Sequence, residues 1–417
     1  MRCLRNVWGS VATVSIAGTI LAGGTVWAQD PEAGHEEALA TATSPGEGGE
    51  KKEASEEEDE KEPRVVNLII RGEDADRFHL DLGGGWNEDD GFYGRVALTS
   101  NNLLGGGEIL DVRLELGNDR EVYELGYEIP FLFNRRQSLG VRLFKDASDH
   151  AVAGGADFDR KEAGAALTYG RRFGSYHSLD LQYRYADVDH VEAAFDALGE
   201  PLSRRAAYVS SALRSHWTYD RLDDRASPLR GLRLSGTLEV GGGPLGGDSE
   251  IVRSTVGVTW FRPLRRRPLR STFGVRARLG WVGATRGELF PQQRFFLGGE
   301  DSVRGFRRQS IAVTGEDGAL ARDADGFPVG GDRMAQLSLE YHLLLGGPFR
   351  LVLFADGGAL ADGTSLALGQ LRGSAGAELR VTVPKLRVPL RLIYAHNLDP
   401  LPEDRFDDLS LSLGVSF

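Results

Sequence analysis

Cysteine is all but missing from this chain of 417 residues: Cys3 is the sole example, and it precedes an apolar stretch at the N-terminus. Disulfides and cysteine-based metal sites are thereby excluded from everything that follows it. Long apolar runs are missing too. After the first 28 residues no segment approaches the roughly 20 apolar residues that a membrane-crossing helix requires. No basic stripe with interleaved aromatics occurs, which argues against a nucleic-acid partner. Histidines are scattered, without Ser-His-Asp order or metal-ligand spacing, so the sequence offers no catalytic residues, no metal centre and no cofactor site. His342 follows Tyr341 and would face a lumen, where a lone histidine reads as a polar lining residue rather than a catalyst. Gly241-Gly242-Gly243 reads as a hairpin loop rather than a phosphate cradle, since no helix follows it.

Residues 1–28 read as a signal peptide. Arg2 and Arg5 lead, a small and apolar stretch runs over 11–26, and Val26-Trp27-Ala28 offers a small-x-small cleavage site before Gln29. A retained transmembrane anchor is the rival reading. The shortness of the stretch and its Gly, Thr and Ala content favour removal, and Cys3 would leave with it. The formal net charge of −12 is concentrated just beyond, where residues 29–63 hold about 13 acids against about 3 bases. This segment lacks the apolar residues needed to offset ordering entropy and is expected to be disordered, as a solvated spacer or, alternatively, a binding arm.

Residues 64–417 read as one domain. From about Arg77 apolar and polar residues alternate with period two, as a half-buried strand requires. Leu110, Val112, Leu114 and Leu116 share one face and Asp111, Arg113 and Glu115 the other; Phe273, Val275, Ala277, Leu279 and Trp281 oppose Thr272, Arg276 and Arg278. A charged second face suits a wet lumen better than a sandwich core. Sixteen strands are expected, among them 137–145, 161–170, 177–187 and 206–218, with long outer connections at 146–160, 188–205 and 283–331. The last strand places Leu409, Leu411, Leu413, Val415 and Phe417 on one face, an apolar strand ending on an aromatic, as in outer-membrane barrels; an ordinary edge strand is the alternative. The fold class predicted is all-β, a 16-stranded antiparallel transmembrane β-barrel, against the alternative of stacked soluble sandwiches.

The connection after the eleventh strand is too long for a turn, and such loops are usually functional or disordered. It contains Arg294-Phe295-Phe296-Leu297-Gly298-Gly299, then Val303-Arg304-Gly305-Phe306, a composition suited to packing against something. In the next two strands the apolar faces are Ala335, Leu337, Leu339 and Tyr341, then Leu351, Leu353 and Ala355, which turns Glu340 and Asp356 inward. Two inward carboxylates on adjacent strands form a natural receptor for a planar guanidinium.

These residues resemble the outer-membrane barrels of the BamA and TamA superfamily, often labelled bacterial surface antigen. Val303-Arg304-Gly305-Phe306 matches that family's tetrad in the sixth outer loop. Phe354-Ala355-Asp356-Gly357-Gly358 resembles its Phe-x-Asp-x-Gly, Ser338-Leu339-Glu340-Tyr341 its Ser-x-Glu strand, and Ser374-Ala375-Gly376 its Ser-Ala-Gly. The resemblance implies a loop folded into the lumen, with Arg304 on Glu340 and Asp356, Gly305 making the tight turn and Phe306 wedged against the wall. It also implies a lateral seam between the first and last strands. Gly83-Gly84-Gly85 would weaken the first strand there, or merely kink the sheet. A bacterial outer-membrane location is expected, with a role in assembly, insertion or translocation of proteins or lipids. Outer-membrane lipids, lipopolysaccharide, protein clients and a periplasmic protein are the partners implied, and no enzyme activity is. The chain departs from the family in leaving too little sequence before the first strand for POTRA domains, so a member lacking them is expected. The alternative is a passive pore or structural barrel without insertase activity.

Overall fold

Sixteen strands dominate the computed structural model, which describes residues 78–413 apart from 88–90, 118–119, 135, 196–199, 226, 266–269, 316–317, 364–369, 383–388, 402 and 407. The expected signal peptide, the acidic segment, and Val415 and Phe417 lie outside the described residues. In chain order the strands are β1 (Phe78–Asn87), β2 (Gly91–Asn101), β3 (Ile109–Gly117), β4 (Arg120–Ile129), β5 (Gln137–Ala151), β6 (Asp157–Phe173), β7 (His177–Phe195), β8 (Pro201–Asp220), β9 (Gly231–Gly241), β10 (Glu250–Arg265), β11 (Arg270–Arg286), β12 (Arg333–Gly346), β13 (Phe349–Ala361), β14 (Arg372–Thr382), β15 (Pro389–Asn397) and β16 (Leu409–Leu413). Each pairs antiparallel with its sequence neighbours, in the order β1 to β16. Among the described residues no ladder joins β16 back to β1.

The burial pattern is that of a membrane barrel, with apolar side chains outside and charge inside. On β3 the outward Leu116 is exposed while its neighbour Glu115 is buried. On β12 and β13 Leu337, Leu339 and Leu353 face out, and Glu340 and Asp356 are buried inside. The last strand follows the same rule: Leu409 and Leu411 are exposed, and Ser410 between them is buried.

Four strands are longer than the apolar stripe suggested. β5, β6, β7 and β8 run to 15, 17, 19 and 20 residues. The long outer connections expected at 146–160 and 188–205 are therefore mostly strand, and only 152–156 and 196–200 remain between the paired strands. The register continues unbroken from Gln137↔Arg171 to Ala151↔Asp157 and from His177↔Tyr219 to Phe195↔Pro201. Beyond Leu143 and Tyr185 the outward face turns charged, with Lys145 and Asp187 exposed, and other contacts hold the strands. On the outer face Arg205 forks onto Asp189 with two 2.7 Å bonds. On the inner face Val152, Ala156, Phe158 and Ala194 are buried around Phe327, a residue of the β11–β12 connection. The covering loop supplies the apolar contacts, and the exposed ion pair adds little. The Arg205→Ala variant is accordingly expected to keep its heat-modifiable gel mobility; a collapse of the folded band would assign the ribbon's stability to charge instead.

Candidate functional site

The β11–β12 connection, 287–332, enters the barrel as a nest of short ladders. Phe295 exchanges both backbone hydrogen bonds with Gly331 at 2.8 Å, and Leu297 does the same with Ile311 at 3.0 and 2.9 Å. Inside these rungs the amide of Gly299 donates to the carbonyl of Phe306 at 2.9 Å, closing the loop that carries 300–305. Leu297, Val303, Phe306 and Ile311 pack as one buried cluster with Met334 of β12 and Leu360 of β13. The segment is therefore held to the wall by apolar burial before any charge is counted.

Arg304 is 3% exposed at the bottom of this loop. Its Nε and Nη2 donate to the two carboxylate oxygens of Asp356 at 2.6 and 2.8 Å, a bidentate fork. Nη1 reaches Glu378 Oε2 at 2.8 Å and lies 3.0 Å from Glu340 Oε1, while Nη2 also donates to Ser338 Oγ at 3.0 Å. The guanidinium carbon sits 3.7 Å from the centre of the Phe354 ring, so one face of the cation rests on an aromatic. Each of its three nitrogens faces a carboxylate.

Two glycines make this seat possible. Gly305 adopts φ +86°, and a Cβ there would stand 2.7 Å from Ala395 Cβ on β15. Gly358 on β13 leaves room for the loop, since its Cβ would meet Leu297 and Val303 side chains at 2.7 and 2.9 Å. Phe306 packs edge-on against Phe406 with centroids 5.9 Å apart and lies beneath Arg372.

The tetrad Val303, Arg304, Gly305 and Phe306 and the acids Glu340 and Asp356 thus lie together. The surroundings are drier and larger than the sequence suggested. Glu378 on β14 is a third acid, fully buried, and accepts 2.6 Å bonds from Nε of both Arg380 and Arg391. Glu340 is met by Arg276 of β11 at 3.4 Å and by Arg380 at 3.3 Å, and lies 2.8 Å from the ring nitrogen of His342. Five adjacent strands, β11 to β15, share one charge network. The missing acid had a signal: Ser374, Gly376, Glu378 and Arg380 share the inner face of β14 by plain alternation. His342 lines this network at 0% exposure, a buried polar residue packed edge-on to Phe261.

The far end of the connection reaches the β5–β8 ribbon. Arg204 spans Glu192 at 2.5 Å and Asp323 at 2.7 Å, and its guanidinium lies over Phe327. Burial pushes the Asp323 carboxyl up, but the amide of Phe327, the Arg204 guanidinium and the amide of Asp325 outweigh it and hold it below the usual aspartate value. A depressed carboxylate stabilises the fold above its unfolded-state value and stops doing so as pH falls through the lower folded value. Arg204→Ala is expected to free the tip at neutral pH, read as faster tryptic cleavage at Arg322; cleavage at the wild-type rate would show that Phe327 and the Arg322–Glu403 pair secure it without Arg204.

A sequence profile described as the Omp85 superfamily domain matches residues 102–417. Outer membrane protein assembly factor BamA of Nitratidesulfovibrio vulgaris is 29% identical over 249 residues, covering 58% of this chain and 30% of its own length. BamA of Neisseria meningitidis serogroup B is 25% identical over 411 residues, covering 85% of this chain and 49% of its own. The chain therefore spans half or less of the length of these relatives. Among solved structures, BamA from Haemophilus ducreyi lacking POTRA domains 1–3 matches with a TM-score of 0.69 at 21% identity, over 82% of this chain and 70% of that one. At that identity the likeness speaks for the fold.

Proposed function

The chain belongs to the Omp85 superfamily, and from that premise we propose that it assembles, inserts or translocates proteins at the outer membrane, with the β11–β12 connection as a fixed internal strut seated by Arg304. The observation that carries this reading is the Arg304 guanidinium between Asp356 and Glu378. Two relatives, named as outer membrane protein assembly factors, support the class of activity. The distribution of interactions supports the mechanism. A barrel that lets another polypeptide engage its wall must give way at one place and hold at others. One buried charge network ties β11 to β15, whereas the β16–β1 edge has no ladder among the described residues. Protein clients and outer-membrane lipids, lipopolysaccharide included, are the partners this reading requires, with a separate periplasmic protein as a further candidate.

The test is reconstitution of the full chain in liposomes, with a urea-denatured small outer-membrane barrel as client and protease-protected, folded client as readout. Folding several-fold faster than in empty liposomes is expected. Arg304→Ala, itself inserted, should return the rate towards that of empty liposomes. A wild-type rate equal to empty liposomes, with a wide stable conductance in planar bilayers, would establish a passive pore instead.

A further inference from the structure

Three neighbouring short turns carry features that the Arg304 seat does not use. They join β4 to β5, β6 to β7 and β8 to β9, on the rim opposite the long β11–β12 connection. In bacterial outer-membrane barrels the longer loops face outward, which puts these turns on the periplasmic side. Phe133 in the first is 81% exposed and sits at φ +54°, where bulky side chains are rarely found. Phe131, Phe173 and Tyr176 are exposed as well. Arginines alternate with these rings. Arg136 donates to the Gly174 carbonyl at 2.9 Å, the Arg171 guanidinium lies 5.0 Å from the Phe173 ring centre, and that of Arg221 lies 5.5 Å from Tyr176. Among the described residues no carboxylate pairs with Arg136, Arg171 or Arg221. Backbone bonds from Arg172 to Arg136 at 3.0 Å and from Asp220 to Tyr176 at 2.8 Å join the three turns into one arc.

The arc is continuous with the lipid-facing wall. Leu167, Arg171 and Phe173 share the outward face of β6 by alternation, and Leu167 is exposed. Four residues of strand place Arg171 about 13 Å beyond Leu167 along the chain, the change from acyl chain to headgroup that snorkelling arginines and interfacial aromatics occupy. Among the described residues nothing covers the exposed Phe133, and the acyl boundary would. Asp223 and Asp224 of the third turn accept backbone N–H bonds. The guanidinium groups of Arg136, Arg171 and Arg221, without a carboxylate partner among the described residues, then meet phosphate, and clustered basic residues at a membrane surface select anionic lipid.

The geometry points to an anionic-phospholipid headgroup site on this arc, of the phosphatidylglycerol type, in the inner leaflet of the outer membrane. The site is independent of the client-assembly reading and stands or falls without it.

Native mass spectrometry of the purified full chain, with equimolar phosphatidylglycerol and phosphatidylethanolamine added in detergent, tests it. At least fivefold more retained phosphatidylglycerol is expected, declining as salt is raised. The triple variant Arg136→Gln, Arg171→Gln, Arg221→Gln should retain the two lipids equally while keeping its heat-modifiable mobility, and Arg205→Gln on the opposite rim should retain the wild-type preference. If the triple variant does not fold, Arg221→Gln alone is expected to halve the preference. Equal retention by the wild type overturns the site, as it would if the arc docked a protein rather than lipid. An unchanged preference in the triple variant, or in Arg221→Gln, also overturns it.

Discussion

Arg304→Ala is expected to lower the stability of the barrel by about 3–5 kcal/mol, the range for removing one partner of a buried charged pair. The size follows from what is left behind. Asp356, Glu340 and Glu378 are all buried, and each loses a positive neighbour within 3.0 Å. Arg380 and Arg391 continue to neutralise Glu378, but nothing else described here forks onto Asp356. Arg304→Lys should recover only part of the loss, because a single ammonium cannot bond both oxygens of Asp356 while reaching Glu378. The measurement is urea unfolding in detergent micelles, followed by gel mobility, with trypsin cleavage at Arg307 and Arg308 as a second reading of the loop. Wild-type stability in Arg304→Ala would mean that the apolar cluster around Val303 holds the loop unaided.

Gly305→Val is expected to have the next largest effect. A β-branched residue at φ +86° carries about 1–3 kcal/mol of backbone strain. Its Cβ would also stand 2.7 Å from Ala395 Cβ, and overpacking of that kind typically costs about 1–3 kcal/mol more. The loop can escape only by lifting Arg304 away from Asp356, so this variant should resemble Arg304→Ala in protease sensitivity although every charge is retained. Combining the two substitutions should cost far less than their sum, since both undo one seat. Full additivity would show that the turn and the guanidinium act separately.

Much of this architecture was legible in the residues, because a lipid-facing strand has few ways to be written. Leu114 and Leu116 against Glu115 on β3, or Leu337 and Leu339 against Glu340 on β12, state face and register at once. The β5–β8 ribbon was under-read where its outer face turns charged, at Lys145 and Asp187. Period two continues there, but what stabilises it is the apolar underside of a loop some 130 residues further on, and no local pattern contains that. The Arg304 site was half legible. Glu340 and Asp356 follow from alternation on the two strands after the loop. Glu378 lies one strand further, and whether a long side chain reaches it depends on how deeply the loop sits, which Gly358 and Gly305 decide through space rather than through sequence.

The seat spreads across three neighbouring strands, with Ser338 facing Asp356 across one ladder and Asp356 facing Ser374 across the next. A strand that zips up one position out of step presents its opposite face. Misaligned by a single residue, β13 would turn Asp356 to lipid and offer Ala355 or Gly357 to an incoming guanidinium. The loop can therefore dock only onto a wall that has already been stitched correctly. A barrel stitched out of step at β13 is expected to keep this loop undocked and open to trypsin at Arg307 and Arg308.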